Sequence, residues 1–280
     1  MEQKIGFVGA GNMAEAIIGA VIRAKLVTPE NIFASDVRVE RLDDLKKTYG
    51  ITTSLNNRSM LSGCDIIFLA VKPQQINEVL SDIAINPSED KPRRKLIISI
   101  AAGIRLEKIE TALYASLSPE ARSNLPIIRV MPNTPALVLR GMSGMSPNIS
   151  CTLEDIENAR LILASMGKVI QFQEKDLDAV TALSGSGPAY VFYLAELMIA
   201  AGIQLGLTAS DSKALTITTM EGAVALLTQG NASPETLRAK VTSPGGTTAA
   251  AISHMEANGV SSHIVNAIVA AAERSRELSR

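Results

Sequence analysis

The sequence predicts an α/β fold: an N-terminal Rossmann-like doubly wound sheet over residues 1–173, then an all-helical domain over residues 174–280. Three observations predict it. Short apolar runs alternate with segments of helical period as far as Phe172, the pattern of successive βαβ units. Runs such as Ile66-Ile67-Phe68-Leu69 are apolar at every position, as strands buried on both faces of a parallel sheet are. Beyond Glu174 only helical patterns remain.

Taken in order, strands are expected at residues 4–8, 31–35, 66–70, 95–100 and 127–131. Helices are expected at 13–24, at 38–49, where Leu42 and Leu45 share a face, and from Pro73 to 80, because proline is welcome at a first helical position. Residues 141–146 read as a weak strand, 153–166 as a helix and 168–172 as a last short strand. In the helical half, Ser186-Gly187-Pro188 opens a helix running to 205. Ser210-Asp211 caps the next, which Gly230-Asn231 stops. Shorter helices follow at 234–241, 247–258 and 261–278.

The 280 residues suffice for two domains, each burying its own core. A formal net charge of −1 supplies no broad basic field, which argues against nucleic acid or anionic lipid as a partner. The densest positive patch, Lys91-Pro92-Arg93-Arg94-Lys95, reads as a solvated loop. Cys64 and Cys151 lie far apart, and with His254 and His263 they offer no metal or redox spacing, so no metal is expected. The first strand begins by Ile5, so no secretory leader is expected and a cytoplasmic setting is. The most apolar stretch, residues 188–207, carries Glu196 and Gln204 and reads as a buried helix rather than a membrane span. Runs such as Ala249-Ala250-Ala251 and Ala270-Ala271-Ala272 bury little area each. At roughly 25 cal/mol per Å² of apolar surface, such helices make a marginal core alone, and burial against a second copy makes the helical half a dimerisation domain.

Two sequences carry chemistry. Gly9-Ala10-Gly11-Asn12-Met13-Ala14 follows the first strand directly and opens a helix, the context in which a glycine fingerprint binds a dinucleotide. Gly9 permits the tight turn, Gly11 lets the backbone approach a pyrophosphate, and Ala14 allows close helix–strand packing. The second strand ends in Ser35-Asp36-Val37-Arg38, with Arg41 three further on. Asp36 argues for gripping the ribose 2′-OH of NAD, Ser35 and Arg38 for holding the 2′-phosphate of NADP. Ala70-Val71-Lys72-Pro73 and Ala101-Ala102-Gly103 end further strands at the same edge, where Lys72 suits a ribose or phosphate oxygen. Met131-Pro132-Asn133-Thr134-Pro135 is either a rigid wall beside a nicotinamide or a structural turn. The second sequence, Thr242-Ser243-Pro244-Gly245-Gly246-Thr247-Thr248, precedes a helical run. Two glycines let the backbone fold tightly, the threonines are expected to cap the helix, and its first N–H groups suit a small carboxylate. A dinucleotide site with a carboxylate site points to a redox enzyme.

With these motifs in place, the chain resembles the pyrroline-5-carboxylate reductases over essentially its whole length. The resemblance rests on residues 6–13, on Ala70-Val71-Lys72-Pro73, on Val130 to Pro135, on Ala182-Leu183-Ser184-Gly185-Ser186-Gly187-Pro188-Ala189-Tyr190, and above all on residues 237–256. It implies reduction of 1-pyrroline-5-carboxylate to L-proline, with NADPH favoured over NADH. It also implies an interlocked helical homodimer, often assembled into a decamer as a pentamer of dimers, whose active site borrows C-terminal residues of the partner chain. It gives Thr248 a hydrogen bond to the substrate ring nitrogen and has Ser243, Gly246 and Thr247 hold its carboxylate. Asn57, with Asn56 as fallback, contacts the adenosine ribose or its phosphate. Gly9, Gly11, Asn12, Met13, Ser35, Asp36, Arg38, Asn57, the segment 70–73, Ala102 and Gly103 form the coenzyme set. For Ser184 to Pro188 the residues themselves support a helix break and start; a pocket role rests on the resemblance alone. A hydroxyacid dehydrogenase would need a helix-borne lysine acid, and between Val180 and Gln229 only Lys213 stands, near a helix start. A non-catalytic dinucleotide sensor would not need the 243–248 loop.

Overall fold

The computed structural model describes residues 2–58, 62–84 and 94–279. They form two compact units, one of residues 1–186 with 271–280, the other of residues 187–270.

The first unit is built on an eight-stranded sheet of order β3-β2-β1-β4-β5-β6-β7-β8. Its strands are β1 (Ile5–Val8), β2 (Ile32–Ser35), β3 (Thr52–Ser54), β4 (Ile66–Leu69), β5 (Leu96–Ser99), β6 (Ile127–Met131), β7 (Gly141–Pro147) and β8 (Gly167–Gln171). Every neighbouring pair is parallel except β6 with β7, where the chain reverses across the segment 132–140. β1, β4 and β5 are buried along their full length, which is why their sequences are unbrokenly apolar. Phe7 and Phe68 stack with ring centroids 4.9 Å apart at the centre of the core.

Helices α1 (Asn12–Arg23), α2 (Val39–Tyr49), α3 (Ile76–Ile83), α4 (Leu106–Tyr114), α5 (Pro119–Ser123) and α6 (Leu153–Ala164) accompany the strands. Three features depart from the sequence expectation. β3 has only three residues and none is buried, so no hydrophobic pattern marks it. α4 and α5 fill the stretch between β5 and β6, where the sequence suggested no element. Pro73 opens a 3-10 turn, Pro73–Gln75, before α3 starts at Ile76.

The basic patch is also corrected in part. Residues 91–93 lie outside the described residues, but Arg94 is anchored: its Nη2 lies 2.5 Å from Asp155 Oδ2 and its Nη1 donates to the Ser123 carbonyl at 2.6 Å. Lys95 Nζ donates to the Ser62 carbonyl at 3.0 Å. Carbonyls and one carboxylate gathered at this strand entrance hold both cations. Asp155 also closes a capping box at α6, accepting from Thr152 N at 2.7 Å while Thr152 Oγ1 accepts from Asp155 N at 3.2 Å. Partial burial pushes the Asp155 carboxyl up, but the hydrogen bonds from Arg94 and Thr152 outweigh it and hold it below the usual carboxylate value.

After β8 the chain makes the short helix α7 (Leu177–Val180) and a π-turn, Thr181–Gly185. The second unit then contains α8 (Gly187–Gln204), α9 (Ala209–Gln229), α10 (Pro234–Lys240) and α11 (Thr247–Ala257), with the start of α12 (Val260–Leu278). Thr208, not Ser210-Asp211, caps α9, its Oγ1 accepting from Asp211 N at 3.1 Å. The apolar helix expected to be buried is not. α8 has no buried residue, and Phe192, Tyr193 and Leu194 stand exposed. Its contact with α9 is tight: a Cβ on Gly202 would lie 2.6 Å from Ser212 Oγ. Apolar residues, Glu196 and Gln204 apart, run around most of α8, more than its contact with α9 covers. The segment Glu174–Gln204 is long and apolar enough, by length and composition, to cross a membrane.

The last turns of α12 return to the first unit. There Ser275 Oγ donates to Asp178 Oδ1 at 2.6 Å, both groups being buried. Glu174, just before α7, accepts from Leu106 N at 2.6 Å and from the buried Arg129 at 3.1 Å, tying the start of α4 to the middle of the sheet.

Candidate active site

A cleft of about 1260 Å³ opens at the carboxyl ends of β1, β2, β4 and β5. β1 lies between β2 and β4, so the cleft sits where the strand order reverses, the place at which open α/β sheets bind ligands.

Gly9 forms its floor. Its φ is +94°, and a Cβ there would lie 2.7 Å from the Ala70 carbonyl oxygen and 2.9 Å from Val71 Cγ1. Its N–H donates to the Ser35 carbonyl at 2.8 Å, so this one residue seats the β1 turn against both neighbouring strand ends. Gly11 is different. A Cβ there meets nothing within 4 Å, so its missing side chain leaves room on the open side for a ligand. Gly11 is also the N-cap of α1 and makes no side-chain cap, which leaves the first N–H groups of the helix facing the cleft edge. Asn12 and Met13 line the cleft beside it, and Ala14 is fully buried beneath. The cradle thus has the open backbone and space that a dinucleotide pyrophosphate needs.

Asp36 is heavily engaged by its own chain. Oδ2 accepts from Ala10 N at 2.9 Å and from Arg38 Nη2 at 3.1 Å; Oδ1 accepts from Arg38 N at 3.0 Å and Arg38 Nε at 2.9 Å. Partial burial pushes this carboxyl up, but the Arg38 guanidinium and the two backbone N–H groups outweigh it, so it stays below the usual carboxylate value. Arg41, an arginine near the candidate phosphate position, turns away: its Nε donates to the Ala10 carbonyl at 2.7 Å and its Nη2 pairs with Glu15. The Ala10 peptide is therefore held from both sides by the β2–α2 segment.

At the end of β2, Ser35 Oγ donates to Asn57 Oδ1 at 2.5 Å, and Asn57 Nδ2 donates to Asp82 Oδ2 at 2.8 Å. A carboxylate only accepts, so Asp82 fixes the direction of the Asn57 amide. Ser35, Arg38 and Asn57 all line the cleft, as do Ala70, Val71, Pro73, Ala102 and the exposed Lys72. Gly103 does not. Its φ is +75°, and a Cβ there would lie 3.4 Å from the Leu278 carbonyl oxygen, so it turns the chain beneath the end of α12. The sequence reading missed Glu78 and Asp82 on α3 and Leu55 after β3, all part of the lining. Their spacing on α3 carried a signal, four residues apart on one helix face, but only the closure of the sheet shows what that face meets.

Neither Met131 to Pro135 nor Ser184 to Pro188 lines the cleft. Asn133 instead ties the β6 end to the π-turn: its Nδ2 donates to the Ser184 carbonyl at 3.1 Å and lies 3.2 Å from Ser184 Oγ, while its Oδ1 accepts from Met142 N at 2.8 Å. Burial pushes the Cys151 thiol up to about 11, with the Asp155 charge adding to the rise, so it stays protonated near neutral pH.

In the second unit, Ser243 to Gly246 form a turn closed by Gly246 N donating to the Ser243 carbonyl at 3.0 Å. Pro244 takes the position where its fixed φ belongs, and Gly245, at φ +71°, the left-handed one. The expectation that a threonine caps α11 is corrected. Gly246 is the N-cap, without a side-chain hydrogen bond, and Thr247 and Thr248 are the first two helical residues. The turn delivers the backbone into the helix already at Gly246, whose carbonyl accepts from Ala250 N at 3.1 Å. Capping therefore does not consume the Thr248 hydroxyl, and the amides of Thr247 to Ala249 end in an anion-seeking corner.

Strand, glycine turn, open helix end and crevice define a dinucleotide-binding protein of the Rossmann class with a helical second part. A family model described as pyrroline-5-carboxylate reductase dimerisation matches residues 174–278, and one described as NADP oxidoreductase coenzyme F420-dependent matches residues 4–103. The pyrroline-5-carboxylate reductase of Corynebacterium melassecola is 37% identical over 276 residues, covering 99% of this chain and 98% of that protein. That of Methanosarcina acetivorans is 39% identical over 278 residues, covering 99% and 98%. Among solved structures, the Coxiella burnetii pyrroline-5-carboxylate reductase is 36% identical with a TM-score of 0.87, covering 100% of both chains. A Plasmodium falciparum pyrroline carboxylate reductase with NADP bound is 32% identical with a TM-score of 0.85, covering 99% of this chain and 98% of that one. The chain belongs to the pyrroline-5-carboxylate reductase family.

Proposed function

We propose that the chain reduces 1-pyrroline-5-carboxylate to L-proline with NADPH, or with NADH less effectively. The observation that carries this reading is the uncapped amide end of α11 behind the Ser243–Gly246 turn, in a chain whose other unit holds a dinucleotide cleft. The reading assigns the coenzyme to residues 1–173 and substrate binding and dimerisation to residues 174–280.

Within it, Ser243, Gly246 and Thr247 hold the substrate carboxylate. Thr248 Oγ1 hydrogen-bonds the ring nitrogen, donating to the lone pair of the neutral imine and accepting from the N–H once that nitrogen is protonated, and its freedom from capping supports that role. Gly9, Gly11, Asn12 and Met13 receive the pyrophosphate; Ser35, Asp36, Arg38 and Asn57 surround the adenosine ribose, and Ala70 to Pro73 with Ala102 border the rest of the coenzyme. Gly103, outside the lining, shapes the β5 turn. A cyclic imine is basic enough to take its proton from water, so the chain's own task is to orient rather than to supply an acid. When bound, NADPH supplies the hydride that reduces the C=N carbon, while the proton on nitrogen stays and the ring leaves as a secondary amine.

The chain is a homo-oligomer acting on a small molecule: the matched dimerisation region contains the apolar faces of α8 and α9 that one chain leaves bare. Its basic unit is a dimer, assembled as a pentamer of dimers, in the cytoplasm, with neither nucleic acid nor membrane as partner. Loss of NADPH absorbance on adding the imine tests the function. Tight NADPH binding without turnover would instead indicate a dinucleotide sensor.

A further inference from the structure

Resting on the coenzyme reading above, we infer that Glu174 is a positioning residue for hydride transfer: from just beyond β8 it fixes the β5–α4 turn that borders the nicotinamide end of the coenzyme. The turn runs from Ile100 to Arg105, and Ile100 and the exposed Ala102 line the cleft. In this fold the glycine turn after β1 receives the pyrophosphate and the end of β2 the adenosine ribose. β4 and β5 lie on the other side of β1, so the nicotinamide half extends toward them and Ala102 borders it.

At the turn's exit, Arg105 is the N-cap of α4 and makes no side-chain cap. A guanidinium holds only donors, so it cannot accept from the first amides of the helix. The acceptor comes instead from 68 residues away: Glu174 Oε1 takes the N–H of Leu106, the first residue of α4, at 2.6 Å. The same oxygen accepts from Nη1 of the buried Arg129 at 3.1 Å. Arg129 stands on β6 opposite Ser99, the last residue of β5 before the turn. One carboxylate oxygen therefore spans the turn, from the strand beside its entry to the helix at its exit. A second, independent contact backs the middle. The Leu278 carbonyl oxygen lies 3.4 Å from where a Cβ on Gly103 would stand, and α12 is held there by the bond from Ser275 to Asp178, in the helix that follows Glu174. Within the turn, Ile104 N donates to the Ala101 carbonyl at 3.3 Å, and both residues are buried. Ala102 is thus presented to the cleft by a turn anchored at entry, middle and exit.

Glu174→Gln and Glu174→Asp test this in the intact protein, because each leaves the buried Arg129 an acceptor. Gln keeps the length and an oxygen without the charge. Asp keeps the charge but withdraws it by one C–C bond, about 1.5 Å; the Arg129 side chain can follow that retreat, whereas the backbone amide of Leu106 cannot. The nicotinamide is itself the fluorophore of NADPH, so the anisotropy decay of bound coenzyme reads how firmly the ring is held, without turnover. Calorimetric titration with 2′,5′-ADP reads the adenosine half alone. Single-turnover absorbance, with protein and imine both in excess over NADPH, reads the hydride step. The Gln variant holds the ring as wild type does and keeps the hydride step within about threefold. The Asp variant gains a fast local decay of the ring and slows the hydride step about ten- to a hundredfold. Both bind 2′,5′-ADP within about twofold of wild type. An ion pair that merely stabilised the fold would rank the variants the other way, Asp above Gln. That ranking, an Asp variant indistinguishable from wild type, or 2′,5′-ADP affinity lost in step with the ring's restraint overturns the assignment. Turnover by wild type with no response in the Asp variant sinks only the Glu174 assignment. A ring that Asp loosens and Gln does not, in a protein without turnover, sinks only the proposed function.

Discussion

Replacing Gly9 and Gly11 one at a time by alanine separates a glycine needed by the fold from one needed by the ligand. At Gly9 the new methyl carries two costs. The backbone sits at φ +94°, in a region that costs an L-residue roughly 1–2 kcal/mol. The methyl would also lie 2.7 Å from the Ala70 carbonyl oxygen and 2.9 Å from Val71 Cγ1. The carbonyl follows β4 directly, on a residue whose own N–H donates to the Val8 carbonyl at 2.8 Å, and yields little, so overpacking adds about 1–3 kcal/mol. Gly9→Ala is thus destabilised by about 2–5 kcal/mol and binds NADPH poorly, because relief of the clash moves the turn. At Gly11 the φ is −71° and a methyl meets nothing. Gly11→Ala therefore unfolds within about 0.5 kcal/mol of wild type, as an unstrained exposed change does, yet loses at least about tenfold in NADPH affinity as the methyl fills the approach to the pyrophosphate. Urea unfolding followed by circular dichroism and a fluorescence titration with NADPH measure both quantities. Equal unfolding midpoints for the two variants, or wild-type NADPH affinity in Gly11→Ala, would refute the reasoning.

Further outcomes follow from other parts of the structure. Thr248→Val lowers kcat/KM with the imine by the equivalent of about 1–3 kcal/mol while leaving stability nearly unchanged, because the cap is Gly246; unaltered turnover removes Thr248 from the chemistry. Asp155→Asn costs about 1–3 kcal/mol at neutral pH through loss of the capping box and the Arg94 pair. The folded carboxyl titrates below its unfolded value, so this stabilisation is complete above the unfolded value and fades as pH falls through the folded one. The difference between variant and wild type accordingly closes below about pH 4, and a gap that persists in acid assigns the effect to packing. Ser275→Ala leaves the buried Asp178 without the hydroxyl it accepts from and lowers stability by about 1–3 kcal/mol, read from thermal unfolding. Glutamate in place of both Phe192 and Leu227, exposed on α8 and α9, yields smaller particles in sedimentation velocity; an unchanged sedimentation coefficient places the interface elsewhere.

How much of this was legible depended on whether a residue's role is local. Unbroken apolar runs marked β1, β4 and β5 because burial on both faces leaves no polar position. β3 was hidden because an exposed three-residue edge strand needs no pattern. α4 repeats its apolar residues at Leu106, Ile109 and Leu113, a helical spacing present in the sequence but unread. The cleft at the sheet edge was readable at Gly9 and Gly11, where the motif and its strand–helix context are contiguous, and at Ser35, Arg38 and Asn57, which line it. What Asp36 does was not readable. Its partners Ala10 and Arg38 come from two segments, and only pairing β1 with β2 decides whether the carboxylate faces a ligand or its own chain. Gly103 shows the same limit: its φ of +75° calls for glycine at a turn beside Leu278, a neighbour from the far end of the sequence, and it lies outside the cleft lining. The exposure of α8 was misjudged because hydropathy reports that a surface must be covered, not which chain covers it.

The return of residues 271–280 to the first unit sets an order on biogenesis. A ribosome making this chain releases all eight strands early, yet the segment carrying Ser275 emerges only after the whole of 187–270 has been synthesised. Until then Asp178 is without the Ser275 hydroxyl it accepts from, and the first unit waits for a piece that is translated after the helical one.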